Sequence, residues 1–499
     1  MKLLATVALT ALVAGCAMQP QGSRDAPEVF RNLAGADRCA AILPSALGAT
    51  QAAGTWVAAA NGLPAYCEVK GNLSPAPGSM IGVVYRLPEG WNGKVLGLGG
   101  GGWQGNVTLQ AATEGLRGGY ATMQTDAGHV ATTVWDTAWA NSLDAQKDFS
   151  YRGVHEMTEA GKKLVEYYYG REPGKAYFQG CSTGGRMALM EAQRYPADYD
   201  AISAGAPVYS LQVQTSSILR NMAFHKDNSG FSADDLKLAQ TAALNACDAQ
   251  DGARDGLINN PQQCHWDPGA LQCGGAKNAT CLAPAQVAAL RTVYDGTRTA
   301  DGDWGLLPMN RGGEPGWSAF VGTDGKGVDA SSGAVSNLFS TIQGGKSADF
   351  NNYTLAEVQA VRRTQFADWY EAKDANLAPF FRHGGKLLLW HGNNDPGPSP
   401  IATADYARAV LGKTSAANQS MRLFLLPGVE HCGGGPGAAP IPLLDTIDSW
   451  VSTGAAPQEL IGAKADHSVV RLQCSWPNVA HYKGSGDVNT PANWQCASS

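Results

Sequence analysis

The seven residues Gly180-Cys181-Ser182-Thr183-Gly184-Gly185-Arg186 limit what this chain can fold into more than any other stretch. A β-prone run, Lys175-Ala-Tyr-Phe-Gln179, precedes them; a helix-prone run from Arg186 to Tyr195 follows and stops at Pro196. Strand, Gly-x-Ser-x-Gly and helix, in that order, form the setting of a nucleophile elbow. The chemistry demands this shape. A serine hydroxyl is a weak nucleophile, so it has to stand exposed on a tight turn within reach of a base. Gly180 and Gly184 allow the turn without a Cβ clash, and a serine heading a helix puts free N–H groups beside a developing negative charge. Taken alone, the run also fits a plain Gly/Ser turn into a helix. The residues downstream separate the two readings.

The chain has 499 residues, 44% hydrophobic and 16% charged, enough to bury a large core. Its 61 glycines and 26 prolines are dispersed, which excludes a periodic fibre and suits a loop-rich enzyme. A net charge of −6 without a long basic run argues against nucleic-acid binding. Lys2 followed by the apolar stretch Leu3 to Val13 reads as an export signal over residues 1–15, too short to span a bilayer. Leu12-Val-Ala-Gly-Cys16 resembles a bacterial lipobox, which makes Cys16 a lipidation site and residues 16–27 a tether. The expected location is then the periplasm or outer membrane, as a lipoprotein; an ordinary cleaved signal, giving a secreted protein, is the alternative.

Export changes how cysteines read. Apart from Cys16 there are ten, an even number that in an oxidising compartment suggests five disulfides. Proximity in sequence pairs Cys39 with Cys67, Cys247 with Cys264, Cys273 with Cys281 and Cys474 with Cys496. Cys181 and Cys432 are left as a long-range pair. Zinc is the competing reading, but no Cys-x-x-Cys or His-x-x-x-His occurs.

Strand candidates at Met80–Leu87 and Lys94–Leu98 lead to Gly99-Gly-Gly-Gly-Trp-Gln-Gly105, a run that lets backbone approach a reacting oxygen, as in an oxyanion-hole loop. Tyr120–Thr125 and Ala201–Pro207 read as further strands, and Arg152–Tyr169 as a helix, with Val154, Met157, Gly161, Leu164, Val165 and Tyr168 at helical spacing. From Val208 to Ala375 the alternation gives way to helical pieces, Gly-rich loops and scattered aromatics, which suggests a lid inserted at 208–375. Within it, Asp248, Asp251 and Asp255 crowd three carboxylates beside flexible glycines, a set of hard oxygen ligands suited to Ca²⁺. The bland alternative is a solvated acidic turn. Trp317 and Phe320 of the lid, and His391 of the core, are candidate substrate contacts.

Alternation returns with Lys386–Trp390, leading to His391-Gly-Asn-Asn-Asp395, and with Arg422–Leu426, leading to Gly428-Val-Glu-His431-Cys432. An Asp past one strand and a His past the next give the chain order Ser, Asp, His of α/β-hydrolases. The expected fold is therefore an α/β-hydrolase core, residues 28–207 and 376–499, with a large inserted lid. Ser182, Asp395 and His431 are its catalytic residues, acting through an acyl-enzyme on Ser182. A non-catalytic binding lipoprotein on a hydrolase fold is the alternative from another class, and the complete set of three speaks against it.

Gly-Cys-Ser-Thr-Gly-Gly-Arg, Trp-His-Gly-x-x-Asp and Gly-Val-Glu-His-Cys resemble the signatures of the tannase and feruloyl esterase family, which includes hydrolases of mono(2-hydroxyethyl) terephthalate. Asp-Tyr-Asp200 and Tyr482-Lys-Gly-Ser-Gly-Asp487 extend the likeness over nearly the whole mature chain. The resemblance implies a disulfide joining Cys181 to Cys432 and a structural Ca²⁺ held by the side chains of Asp248, Asp251 and Asp255 with the carbonyls of Ala253 and Leu257. It also implies oxyanion donors at the amides of Gly102 and Thr183, and small aromatic esters as substrates. One departure stands out. Terephthalate-type recognition in the family resembles an arginine clamp from the lid, yet residues 318–345 hold no arginine and one cation, Lys326. Because a lone lysine serves a planar carboxylate poorly, the expectation places feruloyl or galloyl esters ahead of terephthalate monoesters.

Overall fold

The structure is a computed structural model describing residues 30, 32–299, 302–343, 355–439 and 441–498. The expected signal, tether and Cys16 lie outside the described residues. Seven strands come first: β1 Gln51–Val57, β2 Tyr66–Leu73, β3 Ile81–Pro88, β4 Lys94–Leu98, β5 Ala121–Thr125, β6 Lys175–Cys181 and β7 Ala201–Gly205. A short hairpin of β8 Thr297–Arg298 and β9 Trp304–Leu306 intervenes before β10 Lys386–Gly392 and β11 Met421–Leu426. Nine of these form one sheet in the order β1-β2-β3-β5-β4-β6-β7-β10-β11. The β1-β2-β3-β5 pairings are antiparallel and the pairings from β5 through β11 are parallel.

Burial explains the division. β5 and β7 are buried at every position, as parallel strands covered on both faces must be, whereas edge strand β1 alternates exposed and half-buried residues. Helices Gly153–Tyr169 and Thr183–Arg194 supply part of the cover through Met157, Leu164, Met187 and Leu189, all in the main core.

Between β7 and β10 no described residue joins the nine-stranded sheet. This inserted stretch carries its own apolar cluster around Phe224, Leu290 and Trp317. Past β11 the chain leaves the sheet too. β12 Glu459–Ala463 pairs with β13 Val470–Cys474, and β14 Asn478–Tyr482 with β15 Trp494–Ser498. Leu472, Ala480 and Trp494 of these hairpins pack on Ala253 of the Asp-rich loop. All five expected disulfides are present, 39–67, 181–432, 247–264, 273–281 and 474–496. They mark a protein suited to an oxidising compartment, and no described helix is long and apolar enough to cross a membrane.

The helix expected from Arg186 begins at Thr183. Gly184 reads as a turn residue in sequence, but it and Gly185 serve close packing inside the first helical turn. A Cβ on Gly185 would sit 2.3 Å from the Gly205 carbonyl oxygen of β7. Arg186 anchors the same turn. It is fully buried, its Nη1 and Nη2 donate to the carbonyls of Ser150 (2.6 Å) and Phe149 (2.9 Å), and the rings of Phe149 and Tyr370 flank it.

Candidate active site

β6 ends at Cys181 and the next helix starts at Thr183, so Ser182 alone makes the turn. Its backbone lies at φ 62°, ψ −122°, which a residue bearing a Cβ adopts only under constraint. Backbone packed on backbone supplies the constraint: a Cβ on Gly180 would come 2.4 Å from the Gly184 carbonyl oxygen. The Ser182 carbonyl accepts from Arg186 N (3.0 Å) and Val208 N (3.2 Å), fixing the turn between its own helix and the chain leaving β7.

Asp395 and His431 follow β10 and β11, and neighbouring parallel strands bring their loops together. His431 Nδ1 lies 2.7 Å from Asp395 Oδ2, and Asp395 Oδ1 accepts from Gly397 N at 2.8 Å. Burial works to raise the Asp395 pKa, but the charge and hydrogen bonds of His431 and His391 outweigh it and hold the carboxyl well below its usual range. The carboxylate thus stays ionised and orients His431 Nδ1–H, leaving Nε2 free of that contact. Ser182 and His431 line one pocket, with Gly102 and Thr183 beside them.

Gly102 is the member of the glycine run that reaches this pocket. It has φ +55°, and a Cβ there would lie 2.5 Å from the Val134 carbonyl oxygen. Thr183 Oγ1 donates to the Gly102 carbonyl at 2.5 Å, locking the two proposed oxyanion donors to each other. The disulfide between Cys181 and Cys432 ties the residue before Ser182 to the residue after His431, with Cα atoms 5.9 Å apart.

Of the three expected substrate contacts, Phe320 alone is in place. It lines the pocket and meets the His431 ring edge-on at 4.8 Å. His391 is a correction. It is wholly buried under Asp395, with Nε2 3.1 Å from Asp395 Oδ2 and Nδ1 2.8 Å from Thr403 Oγ1, and so supports the acid instead of touching substrate. Trp317 is another: it is 1% exposed and packs against Phe224 and Tyr294 inside the inserted segment. Its size and apolarity fit a core as well as a pocket, which sequence could not separate.

Sequence reasoning missed Trp135, Val213, Gln214, Ser217 and Arg220, which also line the pocket. Four of them belong to helix Leu211–His225. Its helical pattern was legible; which face looks onto Ser182 depends on how the insertion docks. Arg220 lies outside residues 318–345, which hold no arginine, so the pocket has an arginine from another part of the insertion.

In the Asp-rich loop, Asp248 accepts from the amides of Asp255 (3.2 Å) and Gly256 (3.1 Å), and Asp255 Oδ2 pairs with Arg471 at 2.6 Å. Asp251 Oδ2 is buried with no partner. Burial, with Asp255 and Asp248 nearby, pushes the Asp251 pKa up to about 7. An orphaned carboxylate oxygen between two other acids fits a bound cation, which would share Asp255 with Arg471. Elsewhere, the ligand atoms of His155, Glu191 and Asp198 lie within 4.8 Å of one another. There burial, then the charge of Asp198, raises the Glu191 pKa well above its ordinary value. Both carboxylate oxygens of Glu191 are buried there without a hydrogen-bond partner.

A serine on a strand-to-helix elbow, with its acid and histidine on the next strand-end loops of a mainly parallel sheet, defines a serine hydrolase of the α/β-hydrolase class. The chain belongs to the tannase and feruloyl esterase family, whose match spans residues 67–497. It is 32% identical to a mono(2-hydroxyethyl) terephthalate hydrolase of Piscinibacter sakaiensis, covering 88% of this chain and 86% of that protein. It is also 32% identical to a probable feruloyl esterase of Arthroderma benhamiae, covering 84% and 82%. The solved structure of feruloyl esterase B from Aspergillus oryzae superposes with a TM-score of 0.82 at 25% identity, covering 93% of this chain and 100% of that one.

Proposed function

We propose that this protein is a carboxylic ester hydrolase acting on esters of small aromatic acids through an acyl-enzyme on Ser182. The observation that carries the reading is the convergence of Ser182, the His431–Asp395 pair and the Gly102–Thr183 amides on one pocket, with Trp135 and Phe320 offering flat apolar walls. Ser182 Oγ attacks the ester carbonyl while His431 takes its proton, and the same proton then goes to the leaving alcohol. Water, deprotonated by His431, releases the acid. Asp395 holds the imidazole and stabilises its charged form. The Gly102 and Thr183 amides face the tetrahedral oxyanion, where losing one donor typically costs about 10²–10³-fold in turnover. The test is turnover of methyl ferulate, methyl gallate and mono(2-hydroxyethyl) terephthalate together with covalent labelling of Ser182 by a fluorophosphonate. An unlabelled serine and no hydrolysis of any of the three would sink the reading in favour of a binding protein.

The lid assignment for 208–375, a Ca²⁺ in its Asp-rich loop and lipidation of Cys16 complete the proposal. The ion would take Asp248, Asp251 and Asp255 with the Ala253 and Leu257 carbonyls. Its contribution is to hold that loop against the C-terminal hairpins. A chelator is expected to lower the melting temperature, and Asp251→Ala to abolish that sensitivity. Elemental analysis finding no calcium, with identical melting in chelator, would remove the site. Mass spectrometry of the mature protein expressed in a bacterium with a lipoprotein-processing system should show a diacylated Cys16; an unmodified N-terminus refutes the anchor.

A further inference from the structure

A second group of ligand-type side chains gathers at the far end of the helix that follows Ser182. His155 stands on helix Gly153–Tyr169, Glu191 in the last turn of helix Thr183–Arg194, and Asp198 in the turn that leads to β7. None of the three lines the pocket of Ser182. One ligand atom from each lies within 4.8 Å of the other two, and His155 Nδ1 is 2.7 Å from Asp198 Oδ2. The Tyr195 ring stacks on His155 at 3.8 Å and fixes the plane of its imidazole. Glu191 is 1% exposed, and neither of its carboxylate oxygens has a hydrogen-bond partner. That is a costly placement for an acid. Burial strips its water, and the last turn of a helix carries the negative end of the dipole. Lys162 acts on Glu191 through its charge, yet its Nζ donates to the Asp198 carbonyl at 2.5 Å. The Glu191 carboxyl therefore points into the cluster with nothing bound to it.

We propose that His155, Glu191 and Asp198 form a metal site, which takes a divalent transition-metal ion of the zinc type. The donor set decides the class: an imidazole beside two carboxylates suits Zn²⁺ or Mn²⁺, whereas Ca²⁺ and Mg²⁺ seek oxygens alone. Ligands about 2.0–2.1 Å from a tetrahedral ion stand roughly 3.4 Å apart, so side-chain rotations bring the three onto one ion. The hydrogen bond between His155 and Asp198 opens, and its proton leaves to solvent. The Glu191 oxygens then gain the partner they lack. A way in exists, because the His155 side chain is 27% exposed and Asp198 lines a surface cavity of about 470 Å³. That cavity also has room for a water in the fourth position. The role is structural: the ion pins the far end of the helix that Ser182 starts to helix Gly153–Tyr169. A proton shared by Glu191 and Asp198 is the competing arrangement.

The test uses the untagged protein, stripped of metal and dialysed against Zn²⁺ with excess Ca²⁺ present, so that oxygen-only sites stay filled. Elemental analysis of wild type should then find one zinc per chain. Glu191→Gln and His155→Ala should each weaken Zn²⁺ binding by about 100-fold or more, since losing a mere outer partner of a ligand already costs 10–100-fold. The melting temperature of wild type should rise with Zn²⁺ concentration, and that of Glu191→Gln should not. A wild type that retains no zinc overturns the inference and leaves the shared proton. Zinc held as tightly by either variant as by wild type marks an adventitious ion and overturns it too. Should neither variant fold, X-ray absorption at the zinc edge of the wild-type protein decides. A single imidazole among oxygen ligands supports the site; a shell with no imidazole, or with more than one, overturns it.

Discussion

Ser182→Ala should lower ester turnover by about 10⁴–10⁶-fold while leaving melting nearly unchanged. Removing the nucleophile leaves what the oxyanion donors and binding supply alone. His431→Ala should be similarly damaging, because no other described histidine lines the pocket to take the serine proton. Asp395→Asn is the more informative change. Asp395 Oδ2 receives both His431 Nδ1 at 2.7 Å and His391 Nε2 at 3.1 Å, and an amide can satisfy at most part of that arrangement. If its nitrogen faces His431, the imidazole is held in the wrong tautomer, and a loss of about 10⁴-fold in kcat follows by analogy with serine proteases. The check is single-turnover kinetics on purified, folded variants. Ser182→Ala with undiminished turnover refutes the assignment, and Asp395→Asn within a few-fold of wild type would show that His391 can orient the site by itself.

The second large effect belongs to the bridge between Cys181 and Cys432, which spans 251 residues of sequence. In the chain-entropy view a loop that long is worth roughly 5 kcal/mol. It also acts at the chemistry, since its two ends adjoin Ser182 and His431. A displacement of about 1 Å between nucleophile and base can cost 10²-fold in rate. Cys181→Ala combined with Cys432→Ala is therefore expected to lower the melting temperature and to reduce kcat more than it raises KM. Removing Cys273 and Cys281, which close an eight-residue separation in the inserted segment, should leave kcat near wild type. A double variant at 181 and 432 that melts earlier but turns over normally would confine the bridge to stability.

The covalent and periodic features of this protein were legible in the chain itself. Gly180 to Arg186 announced an elbow because only small residues allow backbone to pack at 2.4 Å from a would-be Cβ. Asp395 and His431 were readable because each follows a short, continuously apolar run, and such runs make buried parallel strands. Four of the disulfides followed from an even count and short spacings, and Cys181 and Cys432 were the long-range pair left over. Side-chain direction was different. His391, Trp317 and Phe320 were indistinguishable as aromatic residues near the chemistry, yet one supports Asp395, one fills a core and one reaches the pocket. Arg220 went unnoticed because a helix of fifteen residues presents several faces, and periodicity alone does not say which one another segment leaves open. That choice was made by docking the insertion on the sheet. Local sequence determines backbone conformation through sterics and hydrogen bonding over a few residues. The pocket's lining and charge arise from contacts between elements tens to hundreds of residues apart, and only the tertiary structure decides them.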